Sequence, residues 1–472
     1  MRADIGKSGV RSAAVRGTGA ALLTAGIIIL AVNMRAAITS LPPIFPELHG
    51  ALHLSAAGQS VLAAIPVLCF GVFSGIAAPL SRAFGEERVL GAALVLLAAG
   101  LLARGAAPSE LLLPGTVIAG SAIALMNVLL PSLVKRRRPD RAGLLIGLYL
   151  MALSSGAIVA SLIAVPVYQA AGGSAAVRLS LGMWALPALI AAAVWLPQLR
   201  YRTEPGLIEP AVAEPGAAEP GAAEPAAGEI GAAEPAAGEN GAVGAVGASR
   251  PRAGGGAVRR RSVLARTPLA WQVTAFMGLQ SLTYYATLSW FPTIFRDRGL
   301  SAVHAGTLLA VMNLGNAVAA LLIPVLAHRR PDQRLLALVS VICTGAGLAG
   351  AAFGPLGTAT PFVFLLGLGQ GASLGLAIFY TMARSPDPVT AASLSAFAQS
   401  IGYLLASLGP LLLGLLHTAT GGWNVPVWVL LGIVVLQLVS GWLSGQARTV
   451  PALGRPAGGA GRGSRGIHGV SR

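Results

Sequence analysis

Arg35 is the side chain around which chemistry in this sequence has to be arranged. It lies in the first long apolar run, where Ala20 to Ile38 is otherwise nearly free of polar groups. A cation in bilayer hydrocarbon costs roughly 3 kcal/mol even on lenient insertion scales, so it is kept where it faces a protein interior or a watery path. At about 100° per residue, Ile28, Ala31, Arg35, Ile38, Thr39, Pro42 and Pro46 fall on one stripe, and the guanidinium shares a face with the Thr39 hydroxyl. Its planar fork offers several N–H donors and stays ionised at physiological pH. That suits docking of an anionic or strongly dipolar solute. A second reading stays open from the residues alone: the helix stops at Pro42 and Arg35 reaches back to the headgroups.

Other polar side chains recur where a central cavity would be lined. Ser281, Tyr285 and Ser289 repeat at i, i+4 and i+8 and share a helix face, and Gln399 and Tyr403 share another. Asn127, Tyr149, Asn313, Asn316 and Gln370 complete the set, with Tyr285 ranking directly after Arg35. Each also has an ordinary use as an interhelical hydrogen bond of modest value. Carboxylates are missing from mid-segment positions: Glu47, Glu86, Glu87 and the other acids outside residues 199–268 fall in the amino tail or near segment ends. Proton-driven exchange of cationic compounds uses a buried acid, so that chemistry is disfavoured.

Nothing at helical spacing forms a nucleophile–base pair, so the chain is not read as an enzyme. The histidines, at segment ends or in tails, lack metal-ligand spacing, and Cys69 and Cys343 sit in apolar runs as core residues. Gly367-Leu-Gly-Gln-Gly-Ala-Ser373 has neither a preceding strand nor a Walker lysine, and reads as close helix packing. No cofactor or metal is expected.

The elements that must position these side chains follow from composition. Over 472 residues the chain is 55% hydrophobic and 11% charged, against about 25% charged in soluble domains. Its mean hydropathy is +0.73. Apolar stretches long enough to span a bilayer occur near residues 18–41, 57–80, 89–105, 112–134, 142–168 and 179–198. A second set occurs near 269–292, 303–327, 335–353, 359–382, 391–416 and 424–445. The fold class is therefore an all-α integral membrane protein with twelve transmembrane helices.

The net charge of +16 is absorbed by topology rather than by nucleic acid. Of 33 Lys and Arg, removing Arg35 and the four on one side (Arg104, Arg178, Arg296 and Arg298) leaves 28 on the other, which places both termini in the cytoplasm. Only Lys7 and Lys135 are lysines, and the abundance of Arg, Ala, Gly and Pro suggests a GC-rich bacterial genome and a bacterial inner membrane.

Residues 199–268 change character. Glu recurs every fifth position from Glu204 to Glu239 among Pro, Ala and Gly, a pattern that matches neither helix nor strand and predicts a disordered cytoplasmic tether. The halves on either side repeat. A shift of 250 places Thr39-Ser-Leu-Pro-Pro-Ile-Phe45 on Ser289-Trp-Phe-Pro-Thr-Ile-Phe295, and aligns Arg35 with Tyr285. A shift of 246 places Arg88-Val-Leu90 on Arg334-Leu-Leu336. The expected organisation is a tail over 1–17, a six-helix bundle over 18–198, the linker over 199–268, a second bundle over 269–446 and a tail over 447–472, with the bundles related by a pseudo-two-fold axis along the membrane normal.

Twelve helices in two halves with a long central loop resemble the major facilitator superfamily, and more narrowly its cyanate-transporter (CynX/NimT) family. The carriers are Asn33-Met-Arg-Ala-Ala-Ile-Thr-Ser40, Asn127-Val-Leu-Leu-Pro-Ser-Leu-Val-Lys135, Gln280-Ser-Leu-Thr-Tyr-Tyr285, Trp290-Phe-Pro-Thr-Ile294, Gly367-Leu-Gly-Gln-Gly371 and Ala398-Gln-Ser-Ile-Gly-Tyr403. The superfamily motif between the second and third helices is degenerate, with Ser81 near the usual Asp and Glu86 or Glu87 available to pair with Arg88 or a neighbour. The resemblance implies movement of cyanate or comparable small molecules, and the family also includes nitroimidazole exporters.

The reading is a secondary transporter of a small anionic or polar solute working by alternating access as a monomer. Arg35 docks the substrate, and Thr39, Asn127, Tyr285, Ser289, Gln370, Gln399 and Tyr403 are the remaining substrate-binding candidates. A coupled proton would travel with the solute or use a mouth residue such as Glu47. The alternatives are an exporter of nitroimidazole-like drugs and, from another class, a non-transporting membrane receptor that uses the linker as its output.

Overall fold

The computed structural model describes residues 24–52, 54–106, 109–138, 141–173, 175–200, 260 and 262–453. The amino tail, the Glu-repeat part of the linker and the chain beyond residue 453 lie outside the described residues. Twelve long helical segments are present among those described. They are α1 (Thr24–Leu52), α2 (Ala56–Phe84), α3 (Glu86–Arg104), α4 (Leu112–Arg137), α5 (Ala142–Ala171) and α6 (Ala175–Leu199). After the linker come α7 (Pro268–Asp297), α8 (Ala302–His328), α9 (Arg334–Phe353), α10 (Ala359–Ala383), α11 (Pro388–Thr420) and α12 (Asn424–Ser444).

Ten of these are long and apolar enough to cross a bilayer. The two exceptions, α3 and α7, differ for physical reasons. In α3, Glu86 and Glu87 occupy the first turn and Arg104 the last, which leaves little uncharged length in 19 residues. In α7, Gln280, Ser281, Thr283, Tyr284, Tyr285, Thr287 and Ser289 are all buried, so polarity that lipid would reject is satisfied inside the protein.

Local signals at the helix starts repeat as the halves do. Ser55 caps α2 by accepting from the Gly58 N–H at 3.1 Å, and Ser301 caps α8 by accepting from the His304 N–H at 3.3 Å. Ser55 and Ser301 are related by the 246-residue shift that aligns the halves. Gly85 separates α2 from α3 with φ of 87°, a backbone conformation open to glycine at no steric cost. The first helix does not stop at Pro42. A 3-10 turn over Pro42–Ile44 carries it onward to Leu52, because a proline at the start of a turn forfeits no intrahelical donor.

The halves meet along α2–α11 and α5–α8, two contacts exchanged by the pseudo-two-fold. At the end of the bundle that carries Glu47, both are tight. A Cβ on Gly306 of α8 would meet the Ser161 carbonyl of α5 at 2.7 Å, and one on Gly414 of α11 would collide with the Ser60 hydroxyl of α2. Phe45 packs on Trp290 with ring centroids 5.9 Å apart, and Arg296 Nη1 donates to both Glu47 oxygens at 2.7 Å. This end is closed.

The opposite end bears Gly85, Arg136, Arg137, Arg329, Arg330 and Arg384. There Arg136 pairs with Glu86, and Arg137 pairs with Glu87 at 2.6 Å, so the partners of both acids come from α4 rather than from Arg88. The chain after α12 straps across this end. Val450 N–H donates to the Arg384 carbonyl at 2.8 Å and Leu453 N–H to the Thr390 hydroxyl at 2.9 Å. Cys69 and Cys343 are free thiols on α2 and α9.

Candidate functional site

Arg35 extends from α1 into the interface of the halves. Its Nη1 lies 3.5 Å from the Tyr285 hydroxyl, to which it donates, and its Cζ stands 5.7 Å from the centroid of the Tyr284 ring. The guanidinium is thus in contact with α7, and the alternative in which it reaches back to the headgroups is set aside. Among the described residues no carboxylate lies within ion-pair distance of it. A half-buried cation held only by a phenol and an aromatic face keeps most of its donors available.

The aromatic surround is continuous. Tyr284 and Tyr285 pack edge to face at 5.1 Å, Tyr285 and Phe70 lie 6.4 Å apart, and Phe70 meets Tyr403 edge-on at 5.6 Å. Behind Tyr284, its hydroxyl donates to Asn313 Oδ1 at 3.1 Å, which fixes the ring under Arg35. On the far side of Phe70 and Tyr403 a cavity of about 330 Å³ runs toward the Gly85 end. Asn127, Ser132, Ser395, Gln399 and Glu86 are in its wall.

The expected site residues divide into two groups. Arg35 and Tyr285 touch each other, and Asn127, Gln399 and Tyr403 line the adjoining cavity. Asn127 Oδ1 accepts from the Tyr149 hydroxyl at 3.0 Å, and Gln399 Nε2 donates to Ser395 Oγ at 2.8 Å. The other three are turned elsewhere. Thr39 is fully buried and donates to the Arg35 carbonyl at 2.9 Å, with the Ala157 carbonyl 3.4 Å away, which ties α1 to α5. Ser289 donates to the Tyr285 carbonyl at 2.7 Å within its own helix. Gln370 reaches Thr287 Oγ at 2.9 Å and joins α10 to α7.

Sequence reasoning missed Tyr284, Phe70 and Arg104. Tyr284 precedes Tyr285 and lies off the Ser281–Tyr285–Ser289 stripe, yet an arginine is long enough to meet both rings. Phe70 gave no signal, being one apolar residue among many. Arg104, counted from the sequence only among the four basic residues of one membrane side, is 4% exposed and donates from Nη1 to the Ala37 carbonyl at 2.8 Å. That carbonyl lies one turn before the 3-10 turn at Pro42–Ile44, and Arg104 gives it a charged donor inside the protein.

Two six-helix halves around a central, polar-lined interface constitute the evidence on fold, and comparison with known sequences decides the family. Residues 23–410 match the Major Facilitator Superfamily. The chain belongs to that superfamily. It is 34% identical over 428 residues to the 2-nitroimidazole transporter of Escherichia coli (strain K12), covering 91% of this chain and 95% of that protein. It is 27% identical to the cyanate transport protein CynX of the same organism, over 87% of this chain and 95% of that one. Among solved structures, a bacterial homologue of the human lysosomal transporter Spinster superposes with a TM-score of 0.65 at 15% identity, covering 90% of this chain and 96% of that one, a likeness of fold. As a facilitator-superfamily member the protein is a multi-pass membrane transporter of small solutes. The expected family and helical architecture hold.

Proposed function

We propose that this transporter carries a small anionic or strongly dipolar solute, of the cyanate type, docked at Arg35 and exposed alternately to each side as the halves rock. The observation that carries the reading is the Arg35 guanidinium, placed at the interface of the halves with a phenol and no carboxylate for company. A fixed cation without a counter-ion is a charge that a solute can complete, and its fork favours an acceptor group with two oxygens or with one strongly negative end. The basic end faces the cytoplasm of a bacterial cell on the positive-inside rule, so the closed Glu47 end is external and the cavity opens inward. The carrier acts as a monomer. With Glu47 engaged by Arg296, a coupled proton travels with the solute rather than on that acid.

The test is uptake of labelled cyanate into proteoliposomes at two pH gradients, for the native protein and Arg35→Ala. Flux that needs both a gradient and Arg35 supports a proton-coupled anion importer. No flux from correctly folded native protein removes cyanate.

A second reading is favoured by the rings. Tyr284, Tyr285, Phe70 and Tyr403 form an aromatic path larger than cyanate needs, and it suits a planar, electron-poor ring that carries oxygen acceptors, such as a nitroimidazole. Arg35-dependent efflux of 2-nitroimidazole from loaded vesicles, with cyanate inert, would select it.

A further inference from the structure

Glu86 and Glu87 open α3, both are 1% exposed, and both pair with an arginine of α4. Only Glu86 belongs to the wall of the cavity. Its Oε1 accepts from the Ser132 hydroxyl at 2.8 Å and meets Arg136, while its Oε2 is buried with no hydrogen-bond partner. Burial without a partner is costly for a carboxylate oxygen, and because Glu86 lines the cavity a rotation of its carboxylate lets this oxygen take a donor from whatever enters.

No wall group donates to Oε2. Ser81 gives its proton to the Ala78 carbonyl at 3.1 Å, Ser132 gives its own to Glu86 Oε1, and one N–H of Gln399 goes to Ser395. What Glu86 offers is therefore acceptor capacity. An anion would be repelled by Glu86, and a cation would meet Arg136, which already balances the carboxylate. An uncharged solute with an N–H or O–H donor is the class that fits.

We infer that the cavity contains a second solute station at Glu86, where Oε2 accepts a hydrogen bond from the N–H or O–H of a small uncharged polar molecule. The station rests on and deepens the strongly dipolar, uncharged branch of the transport reading, since such a solute leaving Arg35 for the basic end passes it, but binding there is separable from flux.

The experiment compares pyrazole with 1-methylpyrazole, which are both uncharged at neutral pH and differ by the N–H donor, in ligand-observed NMR titrations of the purified full-length protein. Pyrazole is expected to bind at least about tenfold more tightly, as for one hydrogen bond to a charged group. The paired variant Glu86→Leu with Arg136→Leu, which leaves no lone charge buried, should reduce that preference to within about twofold. A second variant locates the site: with Ala396→Cys in the cavity wall, pyrazole should slow maleimide labelling at position 396 and 1-methylpyrazole should not. Equal binding of the two pyrazoles to the native protein, or a preference that survives in the folded paired variant, overturns the station. Arg35→Ala separates the two readings, because loss of cyanate uptake with the pyrazole preference intact bears on Arg35 alone.

Discussion

Arg35 and Tyr285 meet across the interface at 3.5 Å, and they are 250 residues apart, the same offset that lays Thr39–Phe45 on Ser289–Phe295. The pair joins equivalent points of the repeat: α1 contributes a cation and α7, its counterpart, a phenol. Neither half holds both, so a solute bridging them would be held differently as the halves rock, which is the physical rationale for proposing a site at a repeat interface.

Replacing Arg35 by Lys should impair transport nearly as much as Ala, because an ammonium is a point charge and cannot present two parallel donors. Tyr285→Phe removes one hydroxyl and should weaken solute affinity by up to about tenfold, with stability unchanged. A double-mutant cycle on solute affinity measures the coupling. Additive effects of the two changes would contradict joint action on one solute.

Breaking the Glu47–Arg296 pair should favour opening of that end. The side chains keep 15% and 24% of their surface exposed, so the link contributes about 1 kcal/mol and Arg296→Gln should shift the conformational equilibrium about fivefold. Maleimide labelling of Ser60→Cys, which lies in the closed contact, should rise by that factor. The exchanged pair, Glu47→Arg with Arg296→Glu, should return it toward the starting rate.

Gly306→Val tests the close approach of α8 to α5. A Cβ there meets the Ser161 carbonyl at 2.7 Å, so the halves cannot close at the Glu47 end without backbone displacement. Transport should fall by an order of magnitude or more while each half stays folded, and the cavity-facing state should be depleted. Unchanged flux would show that this contact is dispensable.

Asp387 governs the start of α11. It accepts from the Thr390 hydroxyl at 2.7 Å and from the Thr390 N–H at 2.9 Å, and these bonds hold its carboxyl below the usual aspartate range. The folded pKa being lowered, the cap stabilises above the unfolded value and is lost as pH falls through the folded one. The protection factor of the Thr390 amide, which removes the intrinsic pH dependence of exchange, should fall on acidification, and Asp387→Ala should cost about 1 kcal/mol at neutral pH.

Much of this architecture is written in the chain. Apolar run length locates all twelve of the described long helices, and the paired caps Ser55 and Ser301 carry the repeat, because both depend on local spacing. Arg35 was legible for the same reason: a cation in an apolar run is costly enough to demand an explanation from its own neighbours. Thr39, Ser289 and Gln370 looked no different from Asn127 or Gln399, since helical periodicity gives the face of a residue but not what stands opposite. Their hydroxyls and amide bind backbone or Thr287, an assignment that depends on interhelical distance. The tertiary structure alone decided that Tyr284 lies under the guanidinium, that Arg104 reaches the Ala37 carbonyl of α1, and that Glu86 rather than Glu87 faces a cavity. The first two are contacts between residues distant in sequence and the third is a cavity walled by several helices, so each depends on how the helices pack and not on local spacing.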